Sequence, residues 1–130
     1  MCFKWLYGAF FKTTDVSWDH EVVILVPPLK VQKRVLPEMP GLITDLPISL
    51  GDRYLYFVNW LHEDIRQYNI EDPKKPVLVG QVWVGGLIRK GCKSTVEKEN
   101  GQQWQSDVID VQGKHLRVGP QMIQPSLDGK

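Results

Sequence analysis

Apolar and polar positions along this chain follow strand spacing rather than helix spacing. Prolines at 27, 28, 37, 40, 47, 73, 76, 120 and 125 break most windows long enough for a helix. Apolar residues do not recur at helical intervals in what remains. Strand patterns are frequent. Glu21–Val26 is a β-branched run, and Leu42–Ser49 is a mixed run weakened by Pro47, which lacks an N–H. Tyr54–Asn59 is apolar and aromatic on consecutive positions. Asp64–Ile70 alternates, with Ile65, Gln67 and Asn69 on one face and Arg66, Tyr68 and Ile70 on the other. Val77–Val84 is β-rich, while Trp104–Val111 and Gln121–Gln124 carry weaker strand patterns.

The segments between these runs have turn chemistry. Gly51-Asp52-Arg53 suits a tight hairpin, because Gly tolerates positive φ and Asp bonds nearby backbone. Residues 71–76 form a polar connector stiffened by two prolines, and Gly85-Gly86 closes the last run. Leu42 to Val84 therefore predicts four consecutive antiparallel strands. Tyr54–Val58 does not alternate, as expected of a strand covered on both faces. Small four-stranded sheets stacked face to face are the blades of a β-propeller.

Ser49-Leu50-Gly51-Asp52-Arg53 is echoed by Ser126-Leu127-Asp128-Gly129-Lys130. The interval exceeds the ~40–50 residues of a usual blade, so an insertion is expected between the two copies. The predicted layout is all-β: a fragment of a propeller with one complete blade and parts of two neighbours. Residues 1–16 are unassigned, 17–37 end one blade, 42–84 form the complete blade, 87–118 form a polar, mobile insertion, and 120–130 begin the next blade. A lone blade cannot cover its own faces, so the chain is expected to be a piece of a larger propeller or a truncated product, inactive alone.

Composition narrows the function. The 130 residues carry a net charge of +1, which argues against a nucleic-acid partner held by bulk charge. Hydrophobic residues are 42%, as in globular proteins. The longest apolar run, Val22–Val26, is far short of the ~20 residues of a spanning helix, and no integral membrane segment is expected. Without a recognisable signal peptide the expected compartment is the cytosol. Cys2 and Cys92 match no metal spacing and are expected to be free thiols.

Leu36-Pro37-Glu38-Met39-Pro40-Gly41-Leu42-Ile43-Thr44-Asp45 resembles a signature of the selenium-binding protein family, which includes methanethiol oxidases. Tyr56–His62, Asp64–Ile70, Gly119–Gln124 and Ser126–Lys130 resemble that family's following blocks, in order, and the wording is most similar to plant members. The resemblance runs from about Phe10 to Lys130. It implies a cytosolic β-propeller that binds selenium. It also implies copper-dependent oxidation of methanethiol, a small thiol, to formaldehyde, hydrogen sulfide and hydrogen peroxide. The alternatives are a propeller that binds selenium, soft metals or proteins without turnover, or a truncated product without activity of its own. The family's selenium-linked cysteines and paired histidines lie outside this chain, so no selenium-binding residue is identified within it. The resemblance sets Ser where Cys92 stands, Asp at Gly51, Leu at Pro125, and Gly at both Glu63 and Val118.

Within the chain His62 is the leading candidate for chemistry. It lies in the turn between the second and third strands of the complete blade. That turn shares a rim with the connector Pro37–Gly41, so His62, Glu38 and Asp64 could gather at one mouth of the propeller. Imidazole suits copper, and Glu38 and Asp64 could orient it from behind. The alternative is a surface-turn histidine that binds nothing. His20 and His115 read as exposed histidines. Asp45 lies on the innermost strand, where a carboxylate most often bonds neighbouring backbone. The five tryptophans follow strand patterning without a basic patch, which favours core or blade-to-blade packing over base stacking.

Overall fold

The computed structural model describes residues 6–12, 18–117 and 119–128. All regular structure among them is strand. In chain order the strands are β1 (Leu6–Lys12), β2 (Trp18–Leu25), β3 (Leu29–Gln32), β4 (Glu38–Met39), β5 (Ile43–Asp45) and β6 (Tyr54–Asn59). They continue with β7 (Asp64–Asn69), β8 (Val77–Trp83), β9 (Thr95–Glu97), β10 (Gln103–Trp104), β11 (Asp110–Val111) and β12 (Lys114–His115).

The expected four-stranded meander is present as an antiparallel sheet in sequence order, β5-β6-β7-β8. Its register pairs Phe57 with Arg66 and Val58 with Ile65, so Leu55, Phe57 and Asn59 share a face with Asp64, Arg66 and Tyr68. Leu55, Phe57, Val58 and Asn59 are all fully buried. The apolar part of that face packs on Ile24 and Val26, and the rings of Phe57 and Tyr68 stack with centroids 5.5 Å apart. On the opposite face Val58 is buried while Tyr54 and Tyr56 are half-buried, so the missing alternation corresponds to one closed face and one partly covered face. β5 stops at Asp45, two residues before Pro47, whose carbonyl still accepts from the N–H of Tyr56 at 2.9 Å.

A second four-stranded sheet has the order β10-β9-β3-β4. It changes the reading of three segments. Pro27-Pro28 divides 17–37 between two sheets, because β2 pairs with β1 while β3 pairs with β4 and β9. Glu38–Met39 is a strand rather than a plain connector. The polar stretch 87–118 is not a free excursion, since it supplies β9 and β10. Its few apolar residues decide this: Ile88 and Val96 join Val31 and Met39 in a buried cluster.

The strand expected over Gln121–Gln124 does not form. Between Pro120 and Pro125 its backbone bonds side chains of β5 instead. Thr44 Oγ1 donates to the carbonyl of Gln121 at 2.6 Å, and the N–H of Ile123 donates to Asp45 Oδ2 at 2.8 Å. In the turn at Gly51–Arg53 the positive φ falls on Asp52, not on the glycine. Ser49 holds that turn, its Oγ accepting from the N–H of Tyr54 at 3.1 Å.

Truncating Phe57 to Ala should cost about 3–5 kcal/mol, through lost burial and the cavity left behind. Leu127→Ala, at a side chain 92% exposed, should stay within about 0.5 kcal/mol. Urea denaturation of the two variants beside the parent checks both; equal midpoints for Phe57→Ala and the parent would contradict the core assignment.

Candidate functional site

The site is built around the turn from Asn59 to Asp64, which joins β6 to β7. Its closure starts with the N–H of Glu63 on the carbonyl of Asn59 at 2.8 Å. Glu63 takes φ +65°, a left-handed conformation that side-chain-bearing residues seldom adopt. The turn is fastened from below by Gly41 and Leu42, whose carbonyls accept from the N–H groups of Leu61 and Trp60 at 3.1 and 3.0 Å. A Cβ on residue 41 would lie 2.7 Å from Asn59 Oδ1, so this approach needs glycine.

Polar in sequence, the turn is nonetheless buried: Asn59, His62 and Asp64 are fully enclosed and Glu63 nearly so. Each polar group must therefore find a partner. Asp64 finds three. Asn59 Nδ2 donates to it at 2.8 Å, Arg66 Nε at 2.9 Å, and Gln81 Nε2 completes the set. Glu63 accepts from the consecutive N–H groups of Leu87 and Ile88, the latter at 2.8 Å, and forms an ion pair with Arg34 at 3.7 Å. Burial still pushes the Glu63 carboxyl above the usual range, against those two backbone bonds and the nearby arginines. Gly86 lets this happen, because a Cβ there would fall 2.1 Å from the Glu63 carboxyl carbon.

His62 differs. Its Nε2 lies 2.8 Å from the carbonyl of Met39, which can only accept, so Nε2 carries the hydrogen. In the neutral ring Nδ1 then keeps its lone pair, and that buried atom has no partner in the structure. Burial lowers the His62 pKa; the Met39 bond and the Asp64 charge oppose this, and the Arg66 charge adds to it. The result is a neutral imidazole of fixed tautomer with one free nitrogen.

His62 and Asp64 line a cleft of about 370 Å³ between the two four-stranded sheets. Arg66, Gln81 and Trp83 contribute from the meander; Leu29, Val96, Lys98 and Trp104 contribute from the other side. The rings of Trp83 and Trp104 meet across it with centroids 4.7 Å apart. Sheet-to-sheet packing is thus what these two tryptophans do.

The other candidates fall elsewhere. Glu38 is exposed on β4, opposite Lys30, and does not line the cleft; its neighbour Met39 makes the contact with His62. Asp45 bonds the backbone of Leu46 and Ile123. His115 is exposed and paired with Asp110 in the β11–β12 hairpin. Cys92 is a half-buried free thiol. Cys2 and the His20 side chain lie outside what is described. Among the described residues no three His, Cys, Asp or Glu side chains gather as a metal-binding group. No helix among them is long and apolar enough to cross a membrane.

Sequence reasoning missed Arg66, Gln81 and Glu63 as parts of the site. A signal for Arg66 was available. Alternation sets it beside buried Tyr68, and a cation in a core-facing row requires an anion, here Asp64 two residues earlier.

The chain belongs to the family described as 56kDa selenium binding protein (SBP56), whose model matches residues 6–130. It is 66% identical over 121 residues to selenium-binding protein 2 of Arabidopsis thaliana, covering 93% of this chain and 25% of that protein. It is 56% identical over 121 residues to methanethiol oxidase of Xenopus tropicalis, covering 93% of this chain and 26% of the relative. The X-ray structure of a hypothetical selenium-binding protein from Sulfolobus tokodaii superposes with a TM-score of 0.51 at 38% identity, over 59% of this chain and 18% of that one. The chain thus spans about a quarter of the length of the curated relatives it matches.

The His62 environment has a pH consequence. A histidine whose folded pKa is depressed contributes stability above the unfolded value of about 6.5, and that contribution is lost as pH falls through the folded pKa. Imidazole proton NMR should place the His62 midpoint below 6.5, and stability should decline on acidification in the same window. Glu63 has the opposite sign: its raised pKa favours the fold at low pH, and the benefit fades as pH rises through the folded value. Glu63→Gln therefore isolates the histidine contribution. A His62 midpoint above 6.5 would contradict the assignment.

Proposed function

We propose that the protein carrying this chain is a cytosolic, copper-dependent methanethiol oxidase. The reaction converts methanethiol, oxygen and water to formaldehyde, hydrogen sulfide and hydrogen peroxide. The observation that carries this reading is the free, buried Nδ1 of His62, fixed by the Met39 carbonyl. Metal-binding histidines are commonly held this way, one ring nitrogen donating to a carbonyl and the other left for the metal. The relatives named methanethiol oxidase add the substrate.

The fit of copper to these residues is good for one ligand. Imidazole nitrogen suits copper, while Asp64 already accepts three hydrogen bonds and acts as a fixed charge beside the ring. The remaining ligands are assigned to other parts of the protein. Bound copper would supply the transfer of electrons from thiol to oxygen. The residues of this chain orient the imidazole, hold it neutral, and enclose it between two sheets. Neither Glu38, which is exposed, nor Cys92 has a part in this reading.

A second reading is a propeller that binds selenium or a soft metal without turnover. It is favoured by the absence of a group of three or more His, Cys, Asp or Glu side chains among the described residues and by the relatives named selenium-binding protein.

Copper titration and oxidase assays of the full-length gene product separate the readings. His62→Ala should lower copper affinity by at least about 10-fold and activity with it. Unchanged copper content and activity would remove His62 from the mechanism. Stoichiometric selenium binding with no hydrogen peroxide released would favour the second reading.

A further inference from the structure

The cleft beside His62 is larger than the proposed substrate requires. Its volume of about 370 Å³ lies in the range of pockets for ligands of many atoms, whereas methanethiol has two heavy atoms. The polar groups on its walls are also unevenly satisfied. Two buried polar atoms on lining residues lack partners: Nδ1 of His62, an acceptor, and Nε1–H of Trp83, a donor. In the copper-free protein a thiol offers both complements, a weak S–H donor for Nδ1 and a sulfur acceptor for the Trp83 N–H. Apolar lining comes from Leu29, Val96 and the Trp104 ring.

Charge supplies the third element. Asp64 and Arg66 neutralise each other at 2.9 Å. Among the lining residues that leaves Lys98 without an opposite charge, its sequence neighbours Glu97 and Glu99 lying off the lining. Lys98 is exposed, at the mouth of the cleft, with Nζ 5.9 Å from the Trp104 ring centroid. Its neighbour Glu97 is not part of the lining and accepts from Gln32 Nε2 at 3.4 Å. Val96 and Lys98 line the cleft, whereas Glu97 between them does not.

We infer that this cleft binds thiols that carry a carboxylate a few carbons from the sulfur. The sulfur end lies at His62 and Trp83, the carbon chain lies against Leu29, Val96 and Trp104, and the carboxylate meets Lys98. The thiol end rests on the oxidase reading above; the carboxylate end rests on the charge balance of the cleft alone. Trp83 is a positioning residue in this arrangement, and Lys98 sets specificity.

Binding is measured on copper-stripped, anaerobic full-length gene product, by tryptophan fluorescence, so that turnover plays no part. The probes are 3-mercaptopropionate, 1-propanethiol and 2-aminoethanethiol. The carboxylate should bind about fivefold more tightly than the neutral thiol, as for one partly exposed ion pair, and the amine more weakly than either. Lys98→Gln should bring the first two to equal affinity. Trp83→Phe, which keeps the ring and removes the N–H, should weaken all three by about fivefold and preserve their order. Equal binding of the carboxylate and neutral thiols to the parent, tighter binding of the amine, or a preference that survives Lys98→Gln overturns the inference. Failure of copper-dependent oxidation with the preference intact removes the oxidase reading and leaves this site standing. Intact oxidation with equal binding does the reverse.

Discussion

The rest of the structure depends on burying a polar turn. Asn59, His62, Glu63 and Asp64 sit where two sheets meet, and a buried charge or amide there is costly unless bonded. Asp64 meets that condition within its own sheet, through Asn59, Arg66 and Gln81. His62 and Glu63 meet it by reaching out of the sheet. His62 donates to Met39 in β4, and Glu63 gathers Leu87 and Ile88 at the start of the segment leading to β9. The same bonds that satisfy the turn therefore tie the meander to its neighbour. The cleft lies beside this tie, with the Trp83–Trp104 contact joining the two sheets as well.

The arrangement strains the backbone, and small residues absorb it. Glu63 and Leu42 both have positive φ without being glycine, each at a cost of order 1 kcal/mol or more. Glycines at 41 and 86 give the turn and the Glu63 carboxyl room that no Cβ would leave. Strain held at a site by surrounding contacts is common where function is located. Among the buried atoms left without a hydrogen-bond partner here is His62 Nδ1.

How much of this was legible in the sequence follows from which forces are local. The four strands from Ile43 to Trp83 were readable, because β-rich runs and the turns between them are local features of the sequence. His62 and Asp64 were readable as a pair because the turn between adjacent strands is a local feature. The second sheet was not. It joins β3 and β4 to β9 and β10 across more than fifty residues of sequence, and those strands are two to four residues long. Glu97, Lys98 and Glu99 made that region look solvated, while Ile88 and Val96 were too few to signal a core. Glu38 was misplaced by the same cause: it lies beside the site in sequence, but the pleat of β4 turns Met39 inward and leaves Glu38 outside.

The central claim is that the fold fixes His62 as a neutral imidazole with hydrogen on Nε2 and a free lone pair on Nδ1. Nitrogen-15 NMR of histidine-labelled, metal-free protein at neutral pH reads this directly, with His62→Gln used to assign the signal. The account predicts a protonated-type shift for Nε2 and an unprotonated-type shift for Nδ1. An imidazolium pattern, or hydrogen on Nδ1, would contradict it.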